Sequence, residues 1–392
     1  MRAKQSSLLS LSSGKIVQTT TRLARSLADK MCCQNFKMHL HCVEKILKMR
    51  KLTTLFLFLF CSLLGSSLLA GDIFLDLEVS QQIVTASWKA TFEAQSYTLY
   101  YAPWPEMEPI GSINLGLLNE FSTTLPYGSA YYVAVGAVDE AGNFHLSNIE
   151  YFRLKKILKP DPGISWQWQL NGHLKTDVPV DLFDIDLFET SAETIAYLKS
   201  SGRKVICYFN AGAYEPWRPD AYSFPEEVLG NPLEDWPDER WLDIRRLDIL
   251  APIMKKRLDL AVNKGCDGVE PDNIDGYLNE TGFPLTREDQ IRYNLWLARE
   301  AHKRGLSIGL KNNPELACFF EPYFDWALSE ECFYYQECEN FLCFITNNKA
   351  VLEVEYELEP EEFCPEAIKL GFSALKKNWD LDSFYESCKN YR

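Results

Sequence analysis

Segment 264–277, KGCDGVEPDNIDGY, constrains the fold of this chain more than any other stretch. A short apolar strand pattern ends there in Glu270, Asp272 and Asp275 instead of running on into a core. About fifty residues later a second such pattern, FDWALSEECF, reaches Glu330 and Glu331. Carboxylates are costly to bury without partners, so acids at the ends of apolar strands need a reason. The tips of parallel strands in an α/β barrel supply one, because active sites are built there.

The rest of the chain fits that plan. From residue 165 onward, strand and helix patterns alternate, which predicts parallel strands with crossover helices. Strands are expected at 166–170, 182–188, 204–210, 267–272, 306–311, 325–330, 350–356 and 371–375. Eight strands in this length match a TIM-type (β/α)8 barrel of usual size, about 250 residues. Apolar residues at helical spacing predict a helix over 247–264, and Thr286 with Asp289 opens another in capping-box order. The ten residues 171–180 are too short for an ordinary helix, so the first βα unit is expected to be degenerate. Residues 72–155 instead show short alternating strands with Trp88 inward, and read as a small β-sandwich. That segment resembles a fibronectin type III module, for which a spacer role is the safer expectation. Residues 156–163, KILKPDPG, form the linker.

Charge and cysteines bear on setting and partner. Residues 1–70 hold 11 Lys/Arg and 2 Asp/Glu, so the chain's −15 divides into +9 before residue 71 and −24 after it. Such an excess disfavours nucleic acid and suits a cationic partner, although a solvated acidic surface is the commoner origin. Residues 49–70 have a basic start, an apolar run and a small-residue exit. They read as a secretory signal peptide cleaved after Ala70, too diluted by Ser and Gly for a spanning helix. Residues 1–48 read as unstructured, the product of an upstream start codon. Eight cysteines follow residue 200, an even count that permits disulfides in an exported chain. Cys332, Cys338, Cys343 and Cys364 are placed to brace the second acidic segment, whereas Cys207 and Cys266 read as buried free thiols. No metal-ligand spacing occurs, so no cofactor is expected, nor a stable membrane span after signal cleavage; the protein is read as a monomer.

Residues two apart on a strand share a face. Glu270 therefore pairs with Asp272, Asp184 with Asp186 and Glu353 with Glu355, while Lys311 and Glu330 close their own strands. In a barrel these groups converge on one mouth as a negative basin with one cation. Some of the acids are expected instead to cap helices or to pair with Arg218 and Lys311, Asp275 and Glu331 above all. Two carboxylates across a cleft are what glycosidic cleavage requires, one to protonate the leaving oxygen and one to attack or activate water. The chain offers little else: none of His145, His173 and His302 lies at an expected strand tip, and nucleophile elbows and phosphate-binding loops are missing. Trp168, Tyr208, Tyr214, Trp217, Trp236, Trp241 and Tyr277 lie beside the acids, where rings stack on sugars or merely pack a rim.

At the level of whole motifs, CYFNAGAYEPWRPDA, KGCDGVEPDNIDGYLNETGFPLT, YNLWLAREAHKRGLSIGLKN, FDWALSEECFYYQEC and KAVLEVEY, in this order, resemble glycoside-hydrolase family 114. The likeness spans about residues 164–385. It implies a TIM-like barrel that cleaves α-1,4-linked galactosamine polymers inside the chain, without a metal. Carried over by motif, the acid of EPDN is Asp272 and that of the strand-six motif is Glu330. By analogy with α-galactoside-hydrolysing barrels, Asp272 is read as nucleophile and Glu330 as acid/base, with retention of configuration; exchanged roles, or Glu270 in place of Asp272, stay open. Substrate contacts are expected from Asp184, Asp186, Tyr208, Trp217, Arg218, Glu270, Asn273, Tyr277, Lys311 and Glu355, the acids serving a substrate ammonium. Glu331 departs from the family, whose members often carry Gln there. Two other readings stand beside this one: an α-galactosidase-type hydrolase of neutral oligosaccharides, and a non-catalytic carbohydrate-binding or adhesion protein.

Overall fold

Eight strands run parallel in sequence order: Trp166–Gln169, Leu182–Asp186, Lys204–Asn210, Gly268–Asp272, Ser307–Lys311, Trp326–Glu330, Val351–Glu355 and Ser373–Lys376. They are numbered one to eight below. The structure is a computed structural model and describes residues 69–70 and 72–391. The basic stretch 1–48 and all but the last two residues of the signal segment lie outside the described residues.

All eight expected strands are present, most within a residue or two of the predicted bounds. The sheet curls until its first and last members meet. Trp166 Nε1 donates to Ser373 O at 2.6 Å, and Lys377 Nζ reaches Gln167 Oε1 at 3.2 Å. The two predicted helices form at Leu247–Lys264 and Arg287–Lys303, the second capped by the Thr286–Asp289 box. Each buries one apolar stripe against the strands, through Leu250, Met254 and Leu258 in one and Tyr293, Leu297 and Ala301 in the other. No helix lies between strands one and two among the described residues, as the ten-residue spacing required.

Ahead of the parallel sheet, strands Ile73–Ser80, Ile83–Ala90 and Glu120–Thr124 form an antiparallel sheet. Strands Ala94–Pro103, Gly111–Gly116, Ala130–Asp139 and Glu150–Arg153 belong to a second. Leu75, Leu77 and Trp88 from one meet Val133, Val135 and Ala137 from the other in a shared core. These sheets and the barrel form one unit, residues 70–140 with 145–392. Its internal joints are ionic: Lys303 Nζ lies 3.1 Å from Asp76 Oδ1, Lys255 Nζ 3.0 Å from Glu150 Oε1 and Lys155 Nζ 3.2 Å from Asp267 Oδ1. Asp267 precedes strand four, so this joint lies at the end of the barrel away from the acidic strand tips. Of the second unit, the described part includes Ala141, in a turn, and Gly142 at φ 84°.

The eight late cysteines form four disulfides: Cys207–Cys266, Cys318–Cys343, Cys332–Cys338 and Cys364–Cys388. Cys207 and Cys266 are thus not free thiols. Cys207 lies on strand three, and Cys266 in the approach to its neighbour, strand four, which brings their Cα atoms to 6.1 Å.

Candidate active site

Lys311, the last residue of strand five, gathers the acids of its neighbours. Its Nζ lies 3.2 Å from Glu270 Oε1, 2.8 Å from Asp272 Oδ1 and 3.1 Å from Glu330 Oε2, and 4.8 Å above the Trp168 ring. The last two ion-pair distances bound the Asp272 Oδ1 to Glu330 Oε2 separation at their sum, 5.9 Å. Burial opposes the lysine's charge, but Asp272, Glu330 and Glu270 outweigh it and hold the ammonium well above its ordinary range.

The two carboxylates are held from several sides. Tyr208 Oη and Asn273 Nδ2 donate to Asp272 Oδ2 at 3.1 and 3.2 Å. Tyr356 Oη donates to Glu330 Oε1 at 2.6 Å, and Asn312 Nδ2 to Oε2 at 3.0 Å; Asn312 Oδ1 takes the Glu330 backbone N–H in return. Asn273 and Asn312 both follow a strand tip with positive φ, 57° and 49°, a conformation asparagine tolerates better than most residues. Behind Asp272 the backbone is tight: a Cβ on Gly212 would lie 1.6 Å from Asn273 O. Glycine is what lets the loop after strand three close on Asp272.

The acids sort by depth. Asp272 and Glu330 keep 20% and 25% of their side chains exposed, at the floor of a cleft of about 870 Å3. Asp184 and Glu270 lie fully buried beneath. Burial, only partly offset by Lys311, holds both well above the ordinary carboxylate range, and both lie off the substrate face. Asp186 does line the cleft, but its Oδ2 pairs with Arg218 at 2.7 Å and its Oδ1 accepts from Phe188 N and Glu189 N. Tyr208, Trp217, Arg218, Asn273 and Lys311 line the cleft as well.

Other expected contacts fall elsewhere. Glu355 is buried and accepts from Phe333 N at 2.8 Å, and Tyr277 donates to Asn313 at 3.3 Å; neither forms part of the cleft wall. Asp275 and Glu331, expected as helix caps or ion-pair members, instead line the cleft. Asp275 makes no side-chain cap, and Glu331 Oε1 is buried without a hydrogen-bond partner. Burial and then Glu355 push the Glu331 carboxyl up to about 7.

Sequence reasoning missed Glu215, Glu239, Asn312, Tyr356 and Trp379. Glu215 and Glu239 reach the cleft from the excursion between strands three and four, which also forms the small sheet of Ala213–Tyr214, Leu229–Pro232 and Arg240–Leu242. Burial, then Glu215 and Asp272, push the Glu239 carboxyl up to about 8. Glu215 pairs with Arg218 at 2.6 Å through Oε1, while its buried Oε2 is unpartnered. Trp217, Trp236 and Trp379 stand half-exposed around the mouth.

Residues 150–392 match the model of glycoside-hydrolase family GH114. A crystal structure of Aspergillus fumigatus Ega3 in complex with galactosamine is 40% identical in sequence, covering 60% of this chain and 99% of that one, with a TM-score of 0.57. The glycoside hydrolase domain of PelA from Pseudomonas aeruginosa is 13% identical, covering 58% of this chain and 99% of that one, with a TM-score of 0.49. No match was found among curated proteins.

Proposed function

The chain belongs to glycoside-hydrolase family GH114, and from that premise we propose that it cleaves internal α-1,4 linkages of a galactosamine-rich polysaccharide by double displacement. Asp272 attacks the anomeric carbon while Glu330 protonates the departing glycosidic oxygen. Glu330, now a carboxylate, then takes a proton from water, which opens the glycosyl ester on Asp272 with overall retention. The observation that carries this reading is the single ammonium of Lys311 joined to both carboxylates, which keeps one oxygen of each within 5.9 Å of the other. Retaining pairs sit about 5–5.5 Å apart and inverting pairs about 6.5–9.5 Å, and a cation shared by both carboxylates favours the closer arrangement.

The substrate class rests on Ega3, whose structure holds galactosamine, and on charge. An amino sugar brings an ammonium, and Glu215, with its unpartnered Oε2, offers it an acid group on the cleft wall where Asp184, Glu270 and Glu355 do not. Half-exposed tryptophans on several sides of the mouth suit a polymer that continues past the cut in both directions. The antiparallel sheets serve as a fibronectin type III-like spacer, and four disulfides fit secretion into an oxidising compartment.

Incubating the protein with partially deacetylated galactosaminogalactan, followed by mass analysis, tests this reading. The expected result is a ladder of amino-sugar oligomers that is lost in Asp272→Asn and in Glu330→Gln. Intact polymer with the native protein, or cleavage surviving in both variants, would overturn it.

A further inference from the structure

The missing first helix leaves a space of its own. Between strands one and two the chain runs as an irregular segment, and a hollow of about 600 Å3 opens beside it. Gln169, Leu170 and His173 form one wall, and Glu189, Glu193 and Tyr197 the other. This hollow shares Leu170, Asp186 and Glu189 with the catalytic cleft, so the two adjoin at the tip of strand two. The shared ridge is rigid. Arg218 holds one Asp186 oxygen at 2.7 Å, while Phe188 N and Glu189 N hold the other at 2.7 and 2.8 Å.

We propose that this hollow is a distal subsite that holds a further amino-sugar residue of the polymer, beyond the bond being cut. The inference rests on the substrate reading above. The chemistry of the lining carries the ligand class: Asp186, Glu189 and Glu193 line the hollow, and no Lys or Arg does. Lys264 Nζ is spent on the carbonyls of Leu187, Phe188 and Thr190. Glu193 stays charged, because its own backbone N–H and the Ser191 hydroxyl hold its carboxyl below the ordinary range. Ser191 and Glu193 also answer the positive end of helix Ala192–Ser200, which would otherwise repel a cation. Tyr197, 57% exposed, offers a ring face at the rim, and amphipathic rings of this kind suit the apolar face of a sugar. A degenerate βα unit thereby lengthens the binding trough instead of merely shortening the fold.

The test is kcat/KM along a length series of α-1,4-galactosamine oligomers for the native protein, Tyr197→Ala, Glu193→Gln and the double variant. Neither residue lines the catalytic cleft, so the shortest cleaved oligomer is expected to react at an unchanged rate. On the longest oligomers the double variant is expected to lose about tenfold, mostly in KM, the value of one lost stacking or ionic contact. Glu193→Lys is expected to lose more than Glu193→Gln on the same long oligomers. Identical length dependence in native and variant proteins of equal Tm would overturn the distal subsite alone. A native protein that cleaves no oligomer of any length would overturn the substrate reading and the subsite with it.

Discussion

Tyr356 Oη lies 2.6 Å from Glu330 Oε1 and donates to it, while the tyrosine ring stacks on Trp379 with 4.2 Å between centroids. Burial and the neighbouring Glu330 hold the phenol well above its ordinary range, so this donor keeps its proton wherever the enzyme works. The arrangement ties one carboxylate to a tryptophan on the cleft rim. Tyr356→Phe removes one hydrogen bond to a charged group, worth about 1.5–3 kcal/mol. The expected outcome is a kcat lower by about tenfold or more with KM nearly unchanged, read from initial rates on polymer. A rise in KM at constant kcat would show that Tyr356 binds substrate instead.

Lys311 is the shared counter-charge of Glu270, Asp272 and Glu330. Removing one partner from a buried ion cluster typically costs about 3–5 kcal/mol. Lys311→Met is expected to be inactive and to melt well below the native protein. Adding Glu270→Gln removes a buried acid left without its cation, so the double variant is expected to recover part of the lost Tm without recovering activity. Calorimetry of the three proteins decides this.

Glu239 makes stability depend on pH in a definite direction. Its carboxyl is raised to about 8 in the folded protein, whereas an unfolded glutamate titrates near 4.3. Between those values the native state holds a proton that the unfolded chain has released, so stability falls as pH rises. Glu239→Gln carries no such proton. Its Tm is expected to decline less between pH 5 and pH 8 than that of the native protein, and parallel declines would contradict the assignment.

Two disulfides differ in what they do. Cys207–Cys266 spans 59 residues and Cys332–Cys338 only 6, the second directly after Glu330 and Glu331. Loop-closure entropy values the longer span at about 4 kcal/mol and the shorter at about 2 kcal/mol. Replacing the first pair by serine is expected to lower stability more, and replacing the second to lower kcat more. Urea titration and initial rates on the two double-serine variants check both halves.

Much of this was legible in the chain. The eight strands announce themselves as apolar runs between helical patterns, and same-face alternation correctly puts Glu270 and Asp272 together on Lys311. The same alternation could not say how deep a residue sits. Asp184 and Glu353 share faces with acids nearer the tips, yet lie one pleat lower in the dry interior, and Glu355 is consumed by the backbone of residues 333–334. Glu215 and Glu239 were invisible because they ride on an irregular excursion whose path no periodicity encodes. A faint signal existed for Asn312: a second asparagine follows it directly after a strand, and both adopt positive φ. Cys207 and Cys266 looked like core thiols since each sits in or beside an apolar run, and only strand adjacency brings them together.

The most direct measurement is proton NMR of the first sugar anomer released from α-1,4-galactosamine oligomers, recorded before mutarotation. Two carboxylates held on one ammonium favour the close pairing of a covalent mechanism on Asp272, for which the α anomer is expected first. The β anomer appearing first would mean a single displacement by water, and would contradict the roles given to Asp272 and Glu330.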